Sequence, residues 1–463
     1  MRRAIARPAP ALLAILLFAA GGALAAPPTA DETVPAAALA QDQSFGPAER
    51  AATLERIAAL IERNYVYKDK AAAIAAEVRR MKSDPRLAAA SDEVMWAAIL
   101  TQRLDARDVH FNVSWSAAPT PASNLVGGVQ PDPKELERTL AANNYGFTRI
   151  ERLAGNIGYI QLSFFAPFDR NLTGEAEPAA RKAGEAALRL VEKTDAVIFD
   201  LRQNGGGSPD MIDLLLSGFF GDQPVLLNRF YQREGDRTVD FTTLANYAGP
   251  RRPDTPLFVL ISGATVSGAE EFAYDIQTQK RGVVVGETSA GGANPGGVFD
   301  AGDGLQIFIS TGAAKNPLTG TNWEGVGVKP DVQVPADQAL ERAHLLALQA
   351  VLTKMASTDP TEARWTLERL DAQRAGARAT PKEDASYVGQ FGNRRVSLED
   401  GALVYRREHR PPLRMISLGG DSFALADAPR TRLVIEKGPD GRASLLVVQS
   451  ADGDRASFAR TGG

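Results

Sequence analysis

The chain has 463 residues, of which 44% are hydrophobic and 23% are charged, and this is the composition of an ordinary globular protein. Its formal net charge is −4 and it contains no long basic block, so nucleic acid is not an expected partner. Cysteine is absent and only three histidines are present, which excludes disulfides and a thiol nucleophile and disfavours a multi-histidine zinc site. We therefore expect neither a cofactor nor a metal.

The amino terminus has the pattern of a secretory signal peptide. A positively charged start is followed by an Ala/Leu-rich stretch and an Ala-Leu-Ala cleavage sequence, at positions 2–7, 10–20 and 23–25. An uncleaved membrane anchor is the alternative, but the apolar stretch is short for a span and no basic flank follows it. We predict a signal peptide over residues 1–25, a linker over 26–45, and a periplasmic or secreted protein without stable membrane insertion.

The next part of the chain has helical periodicity. Apolar residues recur at helix spacing, for example at Leu54, Ile57 and Ile61, and this predicts an N-terminal helical domain over residues 46–118. The last predicted helix ends close to His110, the only histidine before residue 300.

Between residues 145 and 335 the pattern changes to strands that alternate with helices, which predicts an α/β core. The run 196–201 is typical of a strand in a parallel sheet that is covered on both faces. Beyond the core we predict a helical linker over 336–382 and a small antiparallel β domain over 383–463. Hairpin turns are expected at Asp400-Gly401 and at Asp440-Gly441.

Ser267 is predicted to open a helix directly after a buried strand. At such a turn its hydroxyl would be exposed beside backbone N–H groups that lack a helical partner, as a nucleophile with half an oxyanion hole requires. The alternative is structural, because Ser267 and Glu270 also have the spacing of a capping box.

Two further segments could contribute to the same site. Three glycines at 205–207 follow a predicted strand and could direct N–H groups at an oxyanion; a phosphate-binding loop is the rival, but its motifs are absent. Asp200 and Arg202 are expected to form an ion pair that holds this turn. A second glycine-rich loop at 286–295 could line the same cleft or be a plain loop.

His110 and Glu324 are candidates for a base and for the carboxylate that orients it. His110 is next to an acidic residue at a helix-to-loop junction, and Glu324 lies between Trp323 and glycines. Taken singly, a structural histidine and a solvated glutamate are the ordinary alternatives.

Together these segments resemble the S41 serine peptidases, which include tail-specific C-terminal processing peptidases, tricorn core peptidases and interphotoreceptor retinoid-binding protein modules. The matching motifs are at residues 201–207, 265–270, 286–288 and 327–331. The resemblance implies a crotonase-like β/α core. The loop that carries the lysine of the tail-specific Ser–Lys dyad has no lysine here, and residues 111–150 are too few for a PDZ domain.

The tricorn-like branch uses histidine and glutamate, and the resemblance therefore implies Ser267 as nucleophile, His110 as base and Glu324 as its orienter. The N–H groups of Gly268 and Gly206 would form the oxyanion hole, although the sequence does not decide among the glycines at 205–207. The second serine of the tricorn tetrad has no match, since Val109 precedes the histidine.

The expected function is that of an exported serine peptidase acting on a peptide or protein substrate, with activity that rises with pH through the neutral range as His110 loses its proton. A non-catalytic module that binds peptide or apolar ligands on the same fold is the alternative, and a hydrolase of non-peptide esters is a third.

Overall fold

A computed structural model describes residues 45–108, 110–116, 133–168, 178–354, 360–376 and 381–461. The predicted signal peptide and nearly all of the predicted linker lie outside the described residues. Within the described part of the chain, no helix is both long enough and apolar enough to cross a membrane.

The helices are, in chain order, α1 Pro47–Asn64, α2 Lys68–Arg80, α3 Pro85–Ala88, α4 Glu93–Asp105, α5 Pro133–Ala142, α6 Ala179–Leu190, α7 Pro209–Ser217, α8 Gly268–Thr278, α9 Ala339–Lys354, α10 Thr361–Arg374 and α11 Pro381–Tyr387. The strands are β1 Asn112–Trp115, β2 Phe147–Leu153, β3 Ile157–Leu162, β4 Ala196–Asp200, β5 Leu226–Gln232, β6 Arg237–Thr242, β7 Leu257–Ile261, β8 Val283–Gly286, β9 Gly296–Gly302, β10 Leu305–Ser310, β11 Gly312–Lys315, β12 Val332–Gln333, β13 Gly389–Phe391, β14 Arg394–Glu399, β15 Ala402–Arg407, β16 Leu413–Gly419, β17 Ser422–Leu425, β18 Thr431–Lys437, β19 Ala443–Ser450 and β20 Arg455–Ala459.

A six-stranded sheet forms the centre of the molecule, in the order β12-β8-β7-β4-β3-β2. All of its neighbouring pairs are parallel except β2 with β3. Every residue of β4 and β7 is buried, as a strand covered on both faces must be. Helices α6, α7 and α8 share one hydrophobic cluster with the sheet, and α9 shares another with its opposite face. The predicted α/β class is confirmed.

Two small antiparallel sheets lie beside the central sheet, and the sequence patterns did not predict them. Their strand orders are β1-β10-β9 and β11-β5-β6. In the first, Asn112 pairs with Phe308 across almost two hundred residues of chain. Residues 112–115 therefore form a strand that joins the N-terminal helices to the core, rather than the end of a purely helical part. Local periodicity does not report pairings of such sequence separation.

The N-terminal helices pack against this first small sheet. Ile57, Ile61 and Trp96 are fully buried, and they belong to the same hydrophobic cluster as Leu305 and Ile307 of β10. The segment that leaves α4 toward β1 is therefore fixed at both ends, and it is this segment that carries His110.

The C-terminal part is an antiparallel sheet of eight strands, β13 to β20, each paired with its neighbour in the chain. The Thr461 N–H donates to the Gln390 carbonyl at 2.8 Å, which brings the end of the last strand to the first. The predicted hairpin is present, with Asp400 at φ 49° and Gly401 at φ 71° in the turn between β14 and β15. Gly441, at φ 73°, lies in the turn between β18 and β19.

Candidate active site

The candidate site lies at the carboxyl ends of β4, β7 and β8, the edge where ligands bind in open parallel sheets. The glycine turn at 205–207 follows β4, Ser267 follows β7, and the loop at 287–295 follows β8. Adjacent parallel strands deliver these three segments to one place, although they are separated along the chain.

Ser267 has φ 57° and ψ −125°, immediately before α8. An ordinary N-cap residue has extended backbone, so this left-handed value is unusual for a serine and marks a sharp turn between strand and helix. The glycine turn is packed directly against it. A methyl group at Gly206 would lie 2.7 Å from Ser267 Cβ and 3.0 Å from the Gly268 nitrogen.

Glu270 supplies the carboxylate of the predicted capping box and does more than cap the helix. One oxygen accepts from the Ser267 N–H at 2.8 Å and from the Gly292 N–H at 2.8 Å. The other accepts from the Gly291 N–H and the Ser289 hydroxyl, each at 2.6 Å. Burial raises the pKa of Glu270, while these four donors oppose the rise. The buried carboxylate therefore ties the nucleophile turn to the glycine-rich loop after β8.

His110 is held through Nδ1 by two carboxylates. Nδ1 lies 2.9 Å from Asp108 Oδ1 and 3.1 Å from Glu324 Oε1. The ring is tilted against Phe308 at 6.1 Å between centroids. Its other nitrogen faces the nucleophile side, since a methyl group at Gly292 would lie 3.2 Å from His110 Nε2. Both partners on Nδ1 are acceptors, so Nδ1 carries a proton.

Gly292 and Glu270 connect the histidine to the serine. The methyl group that would lie beside His110 Nε2 if Gly292 were alanine would also lie 3.6 Å from Glu270 Oε2. This is the oxygen that accepts from the Ser267 N–H. The hydrogen bonds formed among the described residues do not include one between the Ser267 hydroxyl and His110 Nε2. Catalytic hydrogen bonds are often long in the absence of substrate.

Glu324 reaches the site from the loop between β11 and β12, after the buried Trp323. Its second oxygen accepts from the N–H groups of Ala293 and Asn294 at 2.9 and 3.0 Å. The Glu324 side chain is 19% exposed. The predicted triad residues Ser267, His110 and Glu324 thus all lie around the loop after β8. Of the two alternatives for that loop, lining the cleft or being a plain loop, the structure has the first.

The charges around His110 change its expected behaviour. Burial alone would lower the pKa of His110, but the hydrogen bonds and negative charges of Asp108 and Glu324 outweigh burial and raise the pKa to about 10. At neutral pH the ring is therefore an imidazolium. The sequence analysis expected His110 to lose its proton in the neutral pH range. Because two carboxylates contact Nδ1 rather than one, we now expect this loss in the alkaline range.

The glycines after β4 differ in what their N–H groups bind. The Gly205 N–H donates to the Ser163 carbonyl at 3.0 Å, and the Gly206 N–H donates to Asn204 Oδ1 at 2.8 Å. The sequence analysis named Gly206 as an oxyanion donor. In this structure that N–H is already engaged, because the buried Asn204 side chain folds back over the turn.

Gly207 is oriented differently. It forms a parallel bridge with Phe165, in which the Phe165 N–H donates to the Gly206 carbonyl and the Ser208 N–H donates to the Phe165 carbonyl. In such a bridge the N–H of the central residue points to the opposite side. Gly268 is on that side, since a methyl group there would lie 3.2 Å from the Gly207 nitrogen.

Asp200 and Arg202 form the predicted structural ion pair. Arg202 Nε lies 2.9 Å from Asp200 Oδ1 and Nη2 lies 2.6 Å from Oδ2. Tyr159 donates to the same carboxylate at 2.6 Å, and Arg202 also binds the Ala336 carbonyl. These contacts hold the strand end before the glycine turn and leave no exposed carboxylate for chemistry.

Other basic side chains lie elsewhere. Lys280 and Lys315 are exposed at the end of α8 and on β11. His344 binds the Ala154 carbonyl at 2.8 Å, and His409 is 90% exposed on the turn after β15.

One group of the described residues has the spacing of metal ligands, namely Asp108, His110 and Glu324, whose ligand atoms lie within 4.8 Å of one another. Both carboxylates are in short contact with Nδ1, as expected if the proton on Nδ1 occupies the space between these atoms.

The sequence analysis gave Asp108 no role and gave Glu270 only that of a capping box. A signal existed for both. Asp two residues before a histidine is the spacing of an Asx turn, and the Asp108 carboxylate does accept from the His110 N–H at 2.9 Å. The capping-box spacing identified Glu270, but not its bonds to a distant loop.

Comparisons with known proteins relate the central part of the chain to a family. Residues 156–334 match the model described as peptidase family S41. Over 183 residues the chain is 26% identical to a carboxy-terminal-processing protease of Bartonella bacilliformis, and this covers 40% of each protein. Over 180 residues it is 32% identical to the chloroplastic carboxyl-terminal-processing peptidase 2 of Arabidopsis thaliana, which covers 39% of this chain and 32% of the relative. The chain therefore spans less than half the length of these curated relatives.

Among solved structures, the photosystem II D1 C-terminal processing protease is similar with a TM-score of 0.39 and 18% identity, covering 62% of this chain and 94% of that one. The family match contains the glycine turn, Ser267 and Glu324, whereas His110 lies upstream of it. This protein therefore contains a segment, residues 156–334, that is similar to peptidase family S41.

Proposed function

We propose that this protein is a serine peptidase that hydrolyses peptide bonds through an acyl-enzyme on Ser267. The observation that carries the proposal is the backbone of Ser267, which turns through φ 57° between β7 and α8 against the glycine turn of an S41 domain. A serine that only capped a helix would have no need of this conformation.

In the proposed reaction, Ser267 Oγ attacks the substrate carbonyl carbon and its proton passes to Nε2 of the neutral form of His110, which becomes more populated as pH rises. The tetrahedral intermediate collapses when the C–N bond breaks, and the leaving amine takes the proton from His110. A water molecule then attacks the ester with His110 as base, releasing the acid product and restoring the serine. Glu324 acts as an orienting carboxylate on Nδ1.

The oxyanion would be bound by backbone N–H groups. We assign Gly268 as predicted, and Gly207 in place of Gly206, because the Gly206 N–H is bound by Asn204 and the Gly207 N–H faces Gly268. Because no side chain needs to reorganise, such donors act from fixed positions.

The substrate class that we infer is a peptide or protein. The names of the relatives from Bartonella bacilliformis and Arabidopsis thaliana describe processing at carboxyl termini. The exposed Lys280 and Lys315 do not favour a Ser–Lys mechanism, whereas His110 is only 17% exposed and lies against Gly292. This supports the histidine-dependent branch of the family.

The proposal is tested by covalent labelling with a fluorophosphonate probe followed by peptide mapping. We expect label on Ser267 in the wild-type protein and none in Ser267→Ala. Ser208→Ala is a matched control, since Ser208 only caps α7. A folded wild-type protein that takes up no label would instead favour a non-catalytic module that binds peptide or apolar ligands.

We also infer that the protein is exported after removal of residues 1–25. The expected result is a mature amino terminus at Ala26, read by intact-mass spectrometry of protein recovered from outside the cytoplasm. Ala25→Leu should accumulate precursor, because the cleavage site requires a small residue. Exported protein that retains Met1 would contradict the inference.

A further inference from the structure

We infer that Asp108, rather than Glu324, is the main positioning residue for His110, an inference that rests on the proposed function. In the sequence analysis, the family resemblance implied this role for Glu324 alone. The structure places two carboxylates on Nδ1, and their surroundings are not equivalent.

Asp108 is the more completely enclosed of the two. Its side chain is 3% exposed, against 19% for Glu324, and its oxygen lies closer to Nδ1, at 2.9 Å against 3.1 Å. A charge-assisted hydrogen bond is stronger where water is excluded, so the bond from Asp108 has the larger effect on ring orientation and tautomer.

Asp108 also holds the histidine at two points. Oδ1 accepts from the His110 backbone N–H as well as from Nδ1. The backbone turn and the ring are thereby fixed by a single oxygen. Glu324 binds the ring once, and its other oxygen is used by the Ala293 and Asn294 N–H groups of the loop after β8.

Asp108 is itself fixed by partners on other elements. Ser310 at the end of β10 donates to Oδ2 at 3.1 Å, and the charge of Asp108 adds to the effect of burial in raising the pKa of the nearby Tyr65 hydroxyl. The carboxylate therefore connects the segment that carries His110 to the end of β10. Such second partners lock the orientation of a catalytic imidazole. Glu324 is then mainly the link between His110 and the loop at 287–295.

The experiment compares Asp108→Asn with Glu324→Gln in the full-length protein. We expect Asp108→Asn to lower the fluorophosphonate labelling rate by about a hundredfold or more, since an amide in place of the orienting carboxylate favours the wrong tautomer. Glu324→Gln should lower it less than tenfold. Asp105→Asn, on the exposed end of α4, should have no effect.

A second readout separates positioning from general loss of structure. In protein labelled with ¹⁵N-histidine, the Nδ1 proton of His110 should give a slowly exchanging signal, assigned by its loss in His110→Ala. We expect this signal to persist in Glu324→Gln and to vanish in Asp108→Asn. Loss of both signal and labelling in Glu324→Gln overturns the inference even when Asp108→Asn does not fold.

The proposed function and the role of Asp108 are contradicted by different results. If the wild-type protein is not labelled at Ser267, the proposed peptidase function fails, and the nuclear magnetic resonance signal alone decides which carboxylate holds the proton. If the wild-type protein is labelled and Asp108→Asn reacts within tenfold of Glu324→Gln, the proposed function stands and Asp108 is not the main positioning residue.

Discussion

Replacing His110 by alanine is expected to lower kcat/KM for peptide hydrolysis by about 10⁴- to 10⁶-fold, because the nucleophile then has no base in reach. The loss should fall on kcat more than on KM, since in the proposed mechanism the ring acts on the reacting serine and not on the remainder of a peptide. The measurement is steady-state hydrolysis of a quenched fluorescent peptide library, with single-turnover labelling of Ser267 as a direct check.

His409→Ala is the matched control, because that histidine is 90% exposed on the turn after β15 and should leave the rate unchanged. A His110→Ala variant that retains more than a tenth of wild-type activity would exclude His110 as the base. Its unfolding midpoint must be compared with that of the wild-type protein, since the variant also leaves Asp108 and Glu324 facing one another without a cation.

The same site fixes the direction of the pH dependence. The pKa of His110 is raised to about 10, so the neutral base appears only as pH rises into the alkaline range, and kcat/KM should rise with it. The stability that the imidazolium contributes has the opposite trend. It is fully present below pH 6.5 and is lost as pH rises toward 10. Activity is therefore gained as this part of the fold loses a favourable charge contact.

The second large effect concerns three carboxyl groups buried behind the nucleophile helix. Asp213 on α7 and both Glu271 and Asp275 on α8 are buried. Burial, reinforced in Asp213 and Asp275 by the neighbouring negative charges, raises the pKa of Asp213 and Asp275 well above the ordinary range, and burial raises that of Glu271 to about 8. We therefore expect these groups to keep their protons to a higher pH in the folded protein than in the unfolded chain.

The direction in which stability changes with pH follows from proton binding by Glu271. The unfolded chain ionises Glu271 near pH 4.5, whereas the folded chain keeps its proton up to about pH 8, so stability falls as pH rises between these values. One pKa unit corresponds to about 1.4 kcal/mol, and the loss across this range should reach several kcal/mol. We expect the midpoint of urea unfolding to be clearly lower at pH 8 than at pH 5.

Glu271→Gln should remove much of this dependence. The glutamine oxygen can still accept from Asn228, which donates to Glu271 Oε1 at 3.3 Å, while the ionisable group is gone. We expect the variant to be more stable than the wild type by on the order of 2 kcal/mol at pH 8 and nearly equal to it at pH 5. Glu234→Gln, at an exposed position, is the control. Identical pH dependence in Glu271→Gln and wild type would contradict the assignment.

The sequence determined the α/β class and the segments that meet at the site. A strand that is buried on both faces is a run of apolar residues, and the serine or glycine turn that follows it is also a local sequence feature. Ser267 and the glycines at 205–207 could therefore be identified from the sequence alone. The hairpin at Asp400-Gly401 was visible for the same reason, since its backbone conformation requires those residue types.

Only the tertiary structure decided what surrounds those residues. The pairing of β1 with β10 brings His110 beside the loop after β8, and no local pattern reports a contact across two hundred residues. The choice between Gly206 and Gly207 depends on which way a peptide N–H points, and the pKa of His110 depends on two carboxylates that arrive from different loops. Local periodicity records which face of an element is buried, whereas orientation and electrostatics arise from groups brought together by folding.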